Sequence, residues 1–106
     1  MVDNMRGMAP SHPGALLRDI VLPALKVSKT QAARDLKISR NLLYGILTEK
    51  KAVTPESAVK LGKYCGNGPD VWLRMQVAYD LYHAKKKMAK IVQQIPDVSV
   101  AVPVPA

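Results

Sequence analysis

The sequence predicts an all-α domain of five helices. Three observations carry the prediction: apolar residues recur at three- and four-residue intervals in five stretches, a capping residue or a proline heads each stretch, and the apolar inventory is aliphatic. Phe is absent and Trp occurs once in 106 residues, although 48% of the chain is hydrophobic. A chain of this length forms one domain with a modest core, and a core without Phe must be mostly aliphatic.

Residues 1–11 hold three methionines, Gly7 and Pro10 without periodicity and are expected to form a flexible N-terminal arm. The helical domain is expected over residues 12–95. Its first helix starts at Pro13, a favoured first helical residue, with Leu16, Leu17, Ile20 and Val21 inward. Pro23 removes a backbone donor, so this helix is expected to bend or stop there.

Ser28 followed by Gln31 has the form of a capping box, which starts a second helix with Ala32, Ala33 and Leu36 inward. That helix ends near Leu36. Ile38 is apolar in the following turn and plugs the angle between two helices, while Ser39 is placed to cap the third. In the third helix Leu42, Leu43, Ile46 and Leu47 form the inward row. Arg40, Asn41, Tyr44, Gly45 and Thr48 are left on the outward face.

Residues 49–53 form a basic loop. Thr54 caps a fourth helix with Pro55 at its first position, Glu56 near the positive end of the dipole, and Ala58, Leu61 and Cys65 inward. Cys65-Gly66-Asn67-Gly68 is a turn, after which Pro69 opens the longest helix. Trp72, Met75, Val77, Ala78, Tyr79, Leu81 and Tyr82 give that helix more apolar surface than one stripe needs, so a second surface is expected to bury the remainder. Met88, Ile91, Val92 and Ile95 continue the pattern past a run of lysines. A fifth helix running to Gln94 would be about 39 Å long at ~1.5 Å per residue, more than a domain of this size requires. Homodimerisation is therefore expected on this helix and the chain beyond it. Pro96 ends it, and Val98-Ser99-Val100-Ala101-Val102-Pro103-Val104-Pro105 alternates in a strand-like way but ends in two prolines, so residues 96–106 are expected to form an extended, mobile C-terminal tail, with strand addition to a partner as the sharper alternative.

The formal net charge is +8, from 16 basic and 8 acidic residues. Lys26, Lys29, Arg34, Lys37, Arg40, Lys50 and Lys51 fall within the helix pair and the loop after it, opposed only by Asp35 and Glu49. Lys85, Lys86, Lys87 and Lys90 form a second cluster. Basic excess on this scale favours a polyanion through counterion release.

Two short helices joined by a tight turn, the second with a polar outward face between basic residues, form the arrangement with which small proteins enter the major groove of double-stranded DNA. Arg40 and Asn41 are the expected base-edge readers, since Arg suits guanine and Asn suits adenine, and Tyr44 is the third. Phosphate contacts are expected from Lys29 with the second helix's N-terminus, from Ser39, and from Lys50 and Lys51.

Other function classes find little support. No Ser, Cys or Lys has a neighbouring base at useful spacing, no glycine-rich phosphate loop is present, and the acids are scattered, so no enzyme is expected. His12 and His83 lack a second ligand at metal spacing, so neither metal nor cofactor is expected. Trp72, Gln76, Tyr79 and Asp80 are better read as core and inter-helix bonding than as a ligand pocket. RNA binding would call for exposed aromatics, and there are only five aromatic residues, several placed inward. No apolar run reaches the ~20 residues of a membrane span and no signal core is visible, so a cytoplasmic location is expected. Cys65 cannot form an internal disulfide and is expected to be a buried structural thiol.

The chain also resembles the HigA/VapI-type antitoxins within the Xre and Cro group of helix-turn-helix proteins. The matching residues are His12-Pro13-Gly14 with Leu17 and Arg18, residues 28–39, Thr54-Pro55-Glu56 with Ala58 and Leu61, and Pro69 with Trp72-Leu73, Gln76 and Ala78-Tyr79-Asp80-Leu81. The resemblance implies a five-helix, lambda-repressor-like, homodimeric DNA-binding antitoxin. It further implies repression of its own operon and neutralisation of a HigB-like toxin, a ribosome-dependent endoribonuclease of the RelE type. The alternative is a stand-alone phage-type repressor without a toxin. Two departures stand out: members commonly carry Arg where this chain has Gly45, and a turn such as Asn-Gly where it has Thr48-Glu49. Either Gly45 lets the backbone approach the groove while Tyr44 and Arg40 take over contact, or the operator differs or is bound more weakly.

Overall fold

His12 opens the first helix by accepting the Gly14 N–H at 2.9 Å on its Nδ1, with Pro13 at the first helical position. In the computed structural model, which describes residues 9–99, every regular element among the described residues is helical. The first rod has three pieces: α1 (Pro13–Leu16), a π-helical turn (Leu17–Val21) and α2 (Leu22–Leu25). Then follow α3 (Lys29–Leu36), α4 (Arg40–Leu47), α5 (Pro55–Cys65), α6 (Pro69–Lys87) and a single turn, α7 (Ala89–Val92). The five expected helices are present as five rods, the last interrupted before α7.

The first rod decides one expectation and corrects another. It does not stop at Pro23 but passes it and ends at Lys26, whose φ of 59° is left-handed. The widened turn just before Pro23 moves the carbonyls that its ring would crowd and that lack its N–H as a partner. The same turn changes the inward row. Leu17 and Leu22, five apart, are buried, whereas Ile20 is 60% exposed. A π turn returns to the same face after more residues than an α turn does, so the three- and four-residue spacing misplaces Ile20.

The core gathers Leu17, Leu22, Ala32, Ala33, Leu36, Leu43, Ile46, Leu47, Val53, Ala58, Leu61 and Trp72. Small residues set its closest approaches. Ala32 and Ala33 let α3 sit low on the core, and a Cβ at Gly62 would stand 2.3 Å from the Gly68 carbonyl carbon, so glycine allows the head of α6 to fold back on α5. Trp72 is fully buried, and its indole N–H donates to Asn67 Oδ1 at 3.0 Å in the turn between those helices. Gln76 is also buried. Its Oε1 accepts the Val53 N–H at 2.7 Å and its Nε2 donates to Asp80 Oδ1 at 3.0 Å, so α6 holds down the loop that follows α4.

Two further expectations change. The fifth helix breaks at Met88 instead of running on to Gln94, and α7 follows as one turn. Lys85, Lys86 and Lys87 occupy the last turn of α6, where cations favour a helix end. Cys65 is half-buried rather than enclosed, because it is the last residue of α5; burial still pushes its thiol pKa up. The loose arm and extended tail fall mostly outside the described residues.

Candidate nucleic-acid interface

The turn between α3 and α4 is built by three devices. Lys37 takes the left-handed conformation at φ 59°, and the Lys60 ammonium donates to its carbonyl at 3.0 Å. Ile38 packs against the core. Ser39 then caps α4, accepting the Leu42 N–H at 3.0 Å. On α3, Ser28 likewise accepts the Gln31 N–H at 3.0 Å, but the reciprocal half of the expected capping box is missing. Gln31 Nε2 instead donates to Asp35 Oδ1 at 2.6 Å, and Tyr64 of α5 donates to Asp35 Oδ2 at 2.7 Å. These two hydrogen bonds hold the Asp35 carboxyl below its usual range, that of Tyr64 first. Asp35 thereby ties α3 to α5.

Arg40, Asn41, Tyr44 and Thr48 are all exposed, and Leu43, Ile46 and Leu47 behind them are buried. Among the expected phosphate contacts, Lys29, Ser39, Lys50 and Lys51 are exposed as well. They do not stand apart as two sets. The Lys29 ammonium lies 5.7 Å from the Tyr44 ring centroid, a cation–π approach that joins the head of α3 to the middle of α4. An open groove lined by Arg18, Leu22, Pro23, Lys26, Ser28, Lys29 and Tyr44 runs beside this pair.

The C-terminus of α4 is anchored by a residue that spacing alone does not assign to the interface. Arg18 Nη1 donates to the Leu47 carbonyl at 2.9 Å and to Glu49 Oε2 at 3.2 Å, while its other donors hold the Asp19 carboxylate at 2.8 and 2.9 Å. The Asp19 and Glu49 hydrogen bonds push the guanidinium pKa further up. Glu49 sits at φ 66°, left-handed for a non-glycine residue, and its bond to Arg18 offsets part of that strain. The only sign in the sequence is Arg18 beside His12-Pro13-Gly14.

His12, at the head of α1, is 2% exposed. Its ring meets Tyr79 of α6 edge-on at 5.0 Å, and Tyr79 in turn faces His83 at 4.4 Å. Burial lowers the His12 pKa from 6.5, against the opposing pull of the Glu49 and Asp80 carboxylates and a hydrogen bond to the Lys51 backbone. The unfolded chain therefore binds this proton more readily than the folded one. Stability is expected to be complete above the unfolded pKa and to fall as pH drops below 6.5 towards the depressed folded value. Denaturation at pH 7.5 and 5.5 checks this, and His12→Asn, which keeps a capping oxygen, should lose the difference. An equal pH response in both proteins would assign it elsewhere.

The Gly45 position is not bare backbone. A Cβ placed there would lie 2.5 Å from Lys51 Cδ and 2.7 Å from Lys51 Cγ, so the lysine stem already covers the position. The Lys50 and Lys51 N–H groups both donate to the Gly45 carbonyl, at 2.8 and 2.9 Å.

The chain is 34% identical over 89 residues to virulence-associated protein I of Dichelobacter nodosus, covering 84% of this chain and 82% of that protein. Its structure is similar to that of an addiction module antidote protein of a HigA family from Coxiella burnetii, with 34% identity, a TM-score of 0.77, and 85% and 98% of the two chains covered. It is also similar to a Pseudomonas aeruginosa protein crystallised with its 18-base-pair operator DNA, with 32% identity, a TM-score of 0.78, and coverage of 89% and 100%. No family model matches the chain.

Proposed function

This chain belongs to the HigA/VapI-type antitoxins of the Xre and Cro helix-turn-helix group, and on that premise we propose that it binds its own operator as a sequence-specific repressor and neutralises a HigB-like toxin. The observation that carries the DNA-binding part is the exposed row of Arg40, Asn41 and Tyr44 on a helix held at both ends, by the Ser39 cap and by Arg18 on the Leu47 carbonyl. A reading helix must hold its base-contacting side chains close to their productive geometry, and those two anchors favour that. Lys29, Ser39 and Lys50 flank the row and set its register on the phosphates. The basic surface is suited to drawing the protein onto the duplex.

Footprinting on the DNA upstream of the chain's own gene tests this reading, and protection of a defined segment is the expected result. Arg40→Ala should cost about 1–3 kcal/mol on the native operator and relax preference at one base position. Lys50→Ala should weaken binding equally on all sequences and flatten the salt dependence by about one unit. A uniform loss for Arg40→Ala would remove it from the base readers.

The partner surfaces follow from exposure. Val77 and Leu81 on α6, Ile91 and Val92 on α7 and Ile95 beyond are all at least half exposed, which leaves apolar side chains along the C-terminal part of the chain uncovered. These side chains are the proposed homodimer contact. Sedimentation at micromolar concentration should give a dimer, and a monomer would contradict the assignment. Co-purification with the product of the adjoining gene, and relief of that product's RNase activity, tests the toxin half of the proposal.

A further inference from the structure

We propose that Lys51 is a base-reading residue that reaches the major groove across Gly45, a role distinct from phosphate contact. The inference rests on the DNA-binding reading above and adds a specificity-determining side chain to it. At 100° per residue, Gly45 lies within about 30° of the direction opposite the buried row of Leu43, Ile46 and Leu47, with Asn41 and Thr48 beside it. It therefore occupies the middle of the outward face of α4 and contributes no side chain there. Lys51 fills that gap. Its Cβ, Cγ and Cδ lie 3.1, 2.7 and 2.5 Å from where a Cβ at position 45 would stand. Its N–H is tied to the Gly45 carbonyl at 2.9 Å, which fixes where the stem begins. The ammonium is two bonds past Cδ, and so is within about 5 Å of that same point.

The chemistry fits the placement. Lysine donates to guanine O6 and N7 in the major groove, and a stem already laid along the helix gives up less rotamer freedom on binding than a free one. Glycine is required for this arrangement because any Cβ at position 45 would drive into the stem. Gly45 and Lys51 thus act as one unit, six residues apart, in which the glycine supplies the seat and the lysine the side chain.

The test measures affinity for the footprinted operator and for a panel of single-base substitutions at two salt concentrations, using the full chain throughout. Lys51→Ala, at an exposed position, should melt like wild type, bind the native operator about ten-fold more weakly and become indifferent to one base pair. Gly45→Ala keeps Lys51 but displaces its stem, and should become indifferent to that same base pair. The double variant should be no worse than either single one, as expected for residues acting as a unit. If Lys51→Ala weakens every sequence equally and lowers the salt slope by about one, the lysine is a phosphate contact and the proposal fails. A Gly45→Ala protein that keeps full preference would overturn it too. Wild-type protein without any sequence preference would instead overturn the DNA-reading proposal together with this one.

Discussion

Gly14→Ala is expected to destabilise the fold severely and to displace α4, the proposed DNA-reading helix. A Cβ at this position would stand 1.8 Å from the Ile46 carbonyl oxygen and 2.8 Å from its carbon, both backbone atoms of α4. No rotamer change can relieve a clash between a methyl group and a peptide group. Either α1 withdraws or α4 moves. Withdrawal also disturbs the His12 cap, because the Gly14 N–H is what His12 Nδ1 accepts, and His12 in turn faces Tyr79 on α6. Overpacking of this kind costs about 1–3 kcal/mol and occasionally more, and an unyielding backbone partner places it at or above the top of that range. In a domain whose whole stability is about 5–15 kcal/mol, urea denaturation should show a clear fall in midpoint. The protein that remains folded should also bind operator DNA more weakly, because Ile46 lies within the helix that carries Arg40, Asn41 and Tyr44. A loss under about 1 kcal/mol with unchanged affinity would mean that the two helices have room to spare.

Trp72→Ala is expected to cost about 3–5 kcal/mol, the range for removing a fully buried large aromatic. Trp72 has no solvent exposure and is the largest enclosed side chain of a core that contains no Phe. The aliphatic residues around it have no comparable group with which to refill the space. Its indole also anchors Asn67, so the turn joining α5 and α6 loses a hydrogen bond at the same time. The expected signature differs from that of Gly14→Ala. Trp72 packs at the α5–α6 side, so the folded fraction should bind DNA as wild type does while the denaturation midpoint drops. A Trp72→Ala protein within about 1 kcal/mol of wild type would show that the cavity had closed by rearrangement of its neighbours.

Much of this architecture was legible residue by residue. Ser28, Ser39 and Thr54 each cap the helix that spacing assigned to them, and Pro13, Pro55 and Pro69 stand in the first turns of α1, α5 and α6. The outward placement of Arg40, Asn41 and Tyr44 followed from the apolar row of Leu42, Leu43, Ile46 and Leu47, of which Leu42 is only partly buried. Other features carry no such mark. Pro23 reads as a bend or a stop, and it is a π turn that accommodates it, because the packing of Leu17 and Leu22 against the core outweighs one missing hydrogen bond. Gln31 reads as half of a capping box, yet a carboxylate one turn along and a tyrosine from another helix offer it a better network. Gly45 reads as bare backbone, yet a lysine from the following loop lies across it.

Helix identity, helix polarity and the direction of each apolar face depend on neighbours three or four residues away, so they are written locally in the chain and could be taken from it directly. The anchoring of α4 by Arg18, the contact of Gly14 with Ile46 and the buried hydrogen bond between Gln76 and Val53 join residues 29, 32 and 23 positions apart. Contacts at such separations leave no periodic trace, because they depend on how close two helices come once the core has chosen its packing. That is why the outward face of α4 could be found from the pattern of leucines, while the devices that hold it still emerged only when the helices were set against one another.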